Sequence, residues 1–291
     1  MTTMLLITIA SLSLLGLLLA VILYFVSRKF AVEEDPRIDS VEEVLPKANC
    51  GGCGFAGCRA FAEACVENID KIETIFCPVG GNEVMKSVAT CLGVAASEKA
   101  PQVAVIRCYG SFANRERTND YNGYASCAVM SSLYAGDTGC IYGCLGQGDC
   151  VAVCKFDAIV MDPRTGLPEV DDEKCSACGA CVKACPKGVI ELRNKGVKNR
   201  RILVSCINKE KGGVAKKACV AACIGCGKCF KACAFDAITI SDNLAYIDYN
   251  KCKMCRKCVV ECPTYAIWEL NFPIRVPKKE ESEVVEQNSI S

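Results

Sequence analysis

The chain has 291 residues, 34 basic against 33 acidic side chains for a formal net charge of +1, 26 cysteines and no histidine. A balanced charge leaves no electrostatic footprint for nucleic acid. Without histidine there is no Rieske centre, no His-ligated haem, no mixed Cys/His zinc site and no imidazole base.

In chain order, Met4 to Val26 is almost wholly apolar, interrupted only by Thr8, Ser11 and Ser13. Around 20 such residues span a bilayer as a helix. Ser27-Arg28-Lys29 follows and no Lys or Arg precedes, so the positive-inside rule puts the C-terminal side in the cytoplasm. A cleaved signal would need a basic start, a shorter apolar core and a small-residue cleavage site. The stretch predicts an uncleaved single-pass anchor (residues 1–29) in the cytoplasmic membrane. Its reducing side suits free thiols, and a chain of this size is not a small disulfide scaffold. Residues 30–40, with Asp35-Pro36, are a polar linker.

Residues 41–95 form a small unit. Its cysteines Cys50, Cys53, Cys58 and Cys77 make one four-thiolate set. Glycines between the first three let the backbone fold tightly round a cluster and aim amides at it. A helix is expected from Arg59 to Val66. Cys65 within it and Cys91 in a second helical stretch read as buried thiols rather than ligands.

From Gln102 the chain repeats itself. Val105-Ile106-Arg107-Cys108 is echoed by Leu203-Val204-Ser205-Cys206. The segment from Cys140 to Ile159 aligns without a gap on that from Cys219 to Ile238, and a turn, a strand and a full four-cysteine run follow each. A repeat of this type means two copies of one structural module, at 102–194 and 202–272. The runs are Cys175-x2-Cys178-x2-Cys181-x3-Cys185-Pro186, Cys223-x2-Cys226-x2-Cys229-x3-Cys233 and Cys252-x2-Cys255-x2-Cys258-x3-Cys262-Pro263. This is the spacing of bacterial ferredoxins for [4Fe-4S] clusters, in which the fourth cysteine ligates the cluster of the partner motif. Structural zinc uses two separated Cys-x2-Cys pairs instead. The second copy therefore pairs Cys223, Cys226 and Cys229 with Cys262, and Cys252, Cys255 and Cys258 with Cys233. In the first copy Cys175, Cys178 and Cys181 pair with Cys154. The remaining set departs from the pattern, because Gln147 stands where the second copy has Cys226. Cys140 is the nearest spare thiolate to complete Cys144, Cys150 and Cys185. The alternative is a three-iron cluster or none.

These assignments give five clusters. Cys108, Cys127, Cys206 and Cys219 remain, either as ligands of a sixth or as apolar core thiols. Pro186 and Pro263 terminate local structure. Phe156, Phe235, Tyr265 and Trp268 are expected to pack over clusters and exclude water. Gly143 to Gly148 is glycine-rich but threaded with cysteines, and neither GxGxxG after a strand nor a Walker sequence occurs, so no nucleotide site is expected. Residues 273–291 read as a disordered tail, charged and polar from Lys278 onward.

An apolar N-terminal helix, then Asn49-Cys50-Gly51-Gly52-Cys53-Gly54-Phe55-Ala56-Gly57-Cys58 with Cys77-Pro78-Val79-Gly80-Gly81, then ferredoxin repeats, resembles the B subunit of the Rnf complexes over nearly the whole chain. The resemblance implies an α+β architecture: a transmembrane helix, a small four-Cys iron–sulfur domain and two tandem two-cluster ferredoxin-like modules. It also implies an electron-transfer component, with no substrate chemistry of its own, of a complex coupling ferredoxin and NAD+ to sodium or proton translocation. Soluble ferredoxin and the other membrane and peripheral subunits would be its partners, and membrane lipid would surround the anchor. On this reading the C-terminal modules receive electrons and the Cys50–Cys77 cluster delivers them near the membrane. The competing readings are a tethered polyferredoxin for a hydrogenase or heterodisulfide-type reductase, and a non-redox metal-binding assembly protein.

Overall fold

The computed structural model describes residues 2–29, 35–96 and 98–273. Residues 30–34 of the expected linker and nearly all of the expected tail lie outside the described residues. Helix α1, Thr2–Lys29, is apolar on every face, and Leu12, Leu15, Leu19 and Leu23 are all exposed. Its Ile9–Lys29 stretch is long and apolar enough to cross a membrane. A helix hydrophobic all round requires an apolar surrounding, and no other described part of the protein supplies one.

Three α-helices and a short 3-10 helix, Ile69–Thr74, build the small unit. Helix α2, Pro36–Val44, starts where the Asp35 carboxylate accepts from the Arg37 amide and Pro36 pre-sets the first turn. It takes in residues 36–40, which read as linker in the sequence, because Ile38 and Val41 turn one face of it into the core. Helix α3, Cys58–Glu67, opens with the Cys58 amide donating to Asn49 Oδ1 at 2.8 Å. Helix α4, Gly81–Leu92, ends at left-handed Gly93, and the Val94 amide reaches back to the Ala89 carbonyl. Val41, Leu45, Phe61, Cys65, Met85 and Val88 close the core between them.

The first module contains β1 Gln102–Ile106, α5 Cys127–Leu133, α6 Asp149–Ala152, β2 Ile159–Asp162, β3 Leu167–Val170, α7 Ala180–Ala184 and β4 Ile190–Asn194. The second contains β5 Arg201–Val204, α8 Gly212–Ala218, α9 Lys228–Ala232, β6 Ile238–Ser241, β7 Leu244–Ile247, α10 Lys257–Val260 and β8 Ile267–Leu270. In each, the first and last strands pair antiparallel (Val105 with Glu191, Leu203 with Trp268), and the middle two form a hairpin. The chain repeat is thus a repeat in space. The helices are too short to stand alone. What packs between them is largely thiol and small aliphatic side chain, as in Cys144, Cys150, Ile159, Cys181 and Ile190, or Cys223, Cys229, Ile238, Ile247 and Cys258.

The two modules share a tight junction. Val103, Val105 and Leu203 are fully buried there. The Tyr109 amide donates to the Ser205 carbonyl at 3.1 Å, continuing the β1 and β5 segments across it. Arg107 donates to Glu191 at 3.2 Å and to the Cys206 carbonyl at 3.3 Å. Arg193, 1% exposed, pairs with Glu191 and donates to the Ile202 carbonyl. Trp268 lies here too, edge-on against Tyr109 with ring centroids 4.0 Å apart. It lines the groove between the modules rather than a cysteine set, which corrects the expectation for that residue.

Candidate metal centres

The four Cys-rich loops of the modules share one backbone design. The second residue after the first cysteine and the fourth after it are left-handed in every case: Gly146 and Gly148, Ala177 and Gly179, Gly225 and Gly227, Met254 and Arg256. The third residue after the closing cysteine is left-handed as well, at Asp157, Gly188, Asp236 and Tyr265. Two such residues reverse the chain within a few positions, so that cysteines three apart face one centre instead of alternating sides. The Gln147 loop keeps this shape although it lacks the middle thiol.

Two cavities are each lined by a complete expected set. Cys154, Cys175, Cys178 and Cys181 surround one, with Phe156 on its wall. Cys233, Cys252, Cys255 and Cys258 surround the other, with Phe235 on its wall. Tyr265, by contrast, is 77% exposed and covers nothing; its left-handed backbone turns the ring outward. Cys229 is pushed up to about 11, by burial first and then by the charges of Cys223, Cys262 and Cys226, which groups those four. In the small unit, burial raises Cys77 against the pull of the Gly80 and Val79 amides, and the charges of Cys53 and Cys50 raise it further. The Gly80 amide lies 3.4 Å from Cys77 Sγ, as the Met254 amide does from Cys252 Sγ.

Burial and mutual repulsion push Cys181 and Cys258 up to about 12. Four thiolates in such a space require a cation group to stay ionised. Four thiolates at the spacing of the ferredoxin loops are the donor set of a [4Fe-4S] cluster.

The first module's other set differs from the expected grouping. Cys140 lies in a separate cavity with Cys108, Cys206 and Cys219. Cys144 and Cys150 are raised chiefly by burial, to about 12 and about 11; Cys144 then feels the charge of Cys108 and, less strongly, of Cys127, and the charge of Cys127 is the one that reaches both. Cys150 feels Cys185 as well. Cys127 is brought there by the long connection between β1 and α6, which starts α5 on it. Asp149 holds that start in place: it accepts from the Cys127 amide at 2.8 Å, the Ala128 amide at 2.9 Å and the Ser126 hydroxyl at 3.0 Å. Burial works against its charge, yet those three donors hold the carboxyl below its usual range. Asp149 takes the place of Lys228 in the repeat, a signal readable beside Gln147. Cys140 is the nearer thiol along the chain, but its connection turns it toward the second module.

Cys65 is wholly buried and pushed up to about 12 by burial, with the Cys53 and Cys77 charges adding to it. Cys91 is exposed, contrary to expectation; Met85, Val88 and Ala89 take the inward face of α4 and leave it outside.

The row of sets is contiguous with the small unit. A Cβ at Gly52 would lie 2.8 Å from the Cβ and carbonyl oxygen of Cys178, so the Cys50–Cys58 loop seats directly on the Cys178 loop. Lys155 Nζ donates to the Asn49 carbonyl at 3.1 Å across the same contact.

Residues 45–79 match the family described as "Putative Fe-S cluster", and residues 139–189 and 222–266 match the 4Fe-4S dicluster domain. The chain is 42% identical over 267 residues to the B subunit of the Na(+)-translocating ferredoxin:NAD(+) oxidoreductase complex of Acetobacterium woodii, covering 92% of this chain and 78% of that one. It is 41% identical to the B subunit of the ion-translocating oxidoreductase complex of Methanosarcina acetivorans, covering 92% and 99%. It is also 41% identical to the B subunit of the proton-translocating ferredoxin:NAD(+) oxidoreductase complex of Clostridium ljungdahlii, covering 88% and 89%. The chain belongs to the B-subunit family of the Rnf ion-translocating oxidoreductase complexes.

Proposed function

We propose that this chain relays single electrons between ferredoxin and the membrane subunits of a complex that couples the ferredoxin/NAD+ reaction to ion translocation. The observation that carries the reading is the file of four-cysteine sets. It runs from an open end in the second module, where Cys226 and Cys255 are exposed, to the small unit that follows α1. Helix α2 begins seven residues after α1 ends. That is a reach of at most about 25 Å, so the last set stays near the bilayer.

The sets that would hold [4Fe-4S] clusters are Cys50, Cys53, Cys58, Cys77; Cys154, Cys175, Cys178, Cys181; Cys223, Cys226, Cys229, Cys262; Cys233, Cys252, Cys255, Cys258; and Cys144, Cys150, Cys185 with Cys127. Each cluster, when bound, takes up one electron and gives one back. The chain's residues hold the thiolates, wall one cavity with Phe156, and donate amides to sulfur, which raises the potential of the site they serve. In the proposed layout residues 1–29 anchor the chain in lipid, with Arg28 and Lys29 on the cytoplasmic side.

Charge supports entry at the open end. Lys228, Lys231, Lys251, Lys253 and Lys257 are all exposed around Cys226 and Cys255. A basic rim beside an exposed cluster suits an acidic electron carrier, by steering its approach. The test is Cys53→Ala in the assembled complex. Ferredoxin should still reduce the remaining clusters while NAD+ reduction stops. Undiminished NAD+ reduction would sink the proposed order.

A further inference from the structure

We infer that Cys108, Cys140, Cys206 and Cys219 hold a sixth [4Fe-4S] cluster at the junction of the two modules, two ligands from each, and that it joins their clusters into one path. The inference rests on the multi-cluster reading above.

Four observations carry it. The four thiols are all buried and line one cavity. They are matched pairs of the repeat: Cys108 and Cys206 each lie two residues past the first strand of their module, and Cys140 and Cys219 each lie four residues before the first cysteine of a loop. A site built twice from the same positions sits where the two copies face each other. Third, polar hydrogens are aimed at the sulfurs. The Cys144 amide is 3.4 Å from Cys108 Sγ, the Asn208 amide 3.4 Å from Cys206 Sγ, and Asn208 Nδ2 3.5 Å from Cys140 Sγ. These repeat the amide-to-thiol contacts of the ferredoxin loops, and Asn208 is 1% exposed. A neutral core thiol is a weak acceptor and gives no reason to direct three donors at it. A thiolate ligand does. Fourth, Arg115 is buried on the cavity wall, where it offsets the negative charge of four thiolates. Gly110 and Gly143 make room for it, since a Cβ there would lie 2.9 Å from Arg115 Cδ and 2.8 Å from its Nη1.

The position gives the function. Cys108 Sγ accepts from the Cys144 amide on one side, and Cys206 Sγ accepts from the Cys223 amide on the other. The site thus lies between the outer set of the first module and that of the second. One electron enters from the reduced cluster on one side and leaves to the oxidised cluster on the other. No bond forms or breaks, and reduced ferredoxin supplies the electron.

The experiment is iron, acid-labile sulfide and zinc per full-length chain, purified in detergent without oxygen, for the native protein, for Cys206→Ala/Cys219→Ala and for Cys91→Ala. The inference expects about 24 irons with equal sulfide in the native and C91A proteins, and about 20 in the double variant. In the double variant, ferredoxin should reduce the second module's clusters while those of the first stay oxidised by EPR. About 20 irons in the native chain, unchanged in the double variant, would overturn the bridge and leave the electron-transfer reading standing. The native count decides the matter if the double variant does not fold. Zinc in place of available iron would overturn both.

Discussion

In the proposed assignment a single exchange, Gln147 for the Cys226 of the other copy, changes which thiols are grouped around it. The loop keeps its left-handed residues Gly146 and Gly148, so the space for a cluster survives without its middle thiol. In the proposed set Cys127 takes that role from the start of α5, whereas α8 of the second module carries no cysteine. Asp149 ties that helix start to the loop through three donors. Two outcomes follow at this scale. Cys127→Ala should leave three thiolates there, converting one cluster to a three-iron form seen by EPR, with the iron count down by about one to four. Asp149→Ala should remove the three hydrogen bonds to a charged acceptor, lowering stability by about 2 kcal/mol, measured as faster loss of visible absorbance in denaturant. An unchanged decay rate would mean α5 is held by packing alone. The exposed Cys91 shows the limit of residue-scale reading. A cysteine in an amphipathic helix faces in or out according to where the neighbouring core residues point, and a thiol has too little hydrophobicity to decide that alone.

At the scale of elements, the loops matter more than the helices, which run only four or five residues in the cluster-bearing turns. Their shape depends on left-handed positions. At Gly225 the φ is +63° and a Cβ would lie 2.6 Å from the Asn243 carbonyl oxygen. Gly225→Ala should therefore destabilise the second module by about 2 kcal/mol or more, and it should lose cluster absorbance at a lower temperature. Gly213, inside α8, has nothing within 4 Å of an added Cβ. Gly213→Ala should stabilise by about 0.5–1 kcal/mol and shift the same transition upward. The repeat, the hairpins and the four-cysteine spacing were all legible in the chain. The left-handed Met254 and Arg256 were not, because these types disfavour that conformation and only the requirement to face three thiols at one centre imposes it there.

At the scale of the whole molecule, the proposed sets form a file with a basic, exposed end and an end that follows the apolar helix α1. Reversing Lys251, Lys253 and Lys257 to Glu should lower kcat/KM for ferredoxin about tenfold at low ionic strength, with the difference shrinking as salt rises. A salt-independent loss would place carrier docking elsewhere. Deleting residues 1–29 should release the chain from membranes without changing its iron content, since that stretch contains no cysteine.

Local spacing was enough to indicate the 4Fe-4S domains, a helix long and apolar enough to cross a membrane, the repeat and the family, because each is a short-range property: loop length, apolar run length, residue periodicity. Even the exchange of fourth cysteines within a module follows from spacing. Which spare thiol completes which set did not follow. Cys140 and Cys127 are distinguished only by the path of the connection between β1 and α6 and by the packing of one module on the other. The cavity of Cys108, Cys140, Cys206 and Cys219 exists only once two copies of the repeat meet face to face. A site shared across that contact depends on residues far apart in sequence, and no local pattern can express its distances.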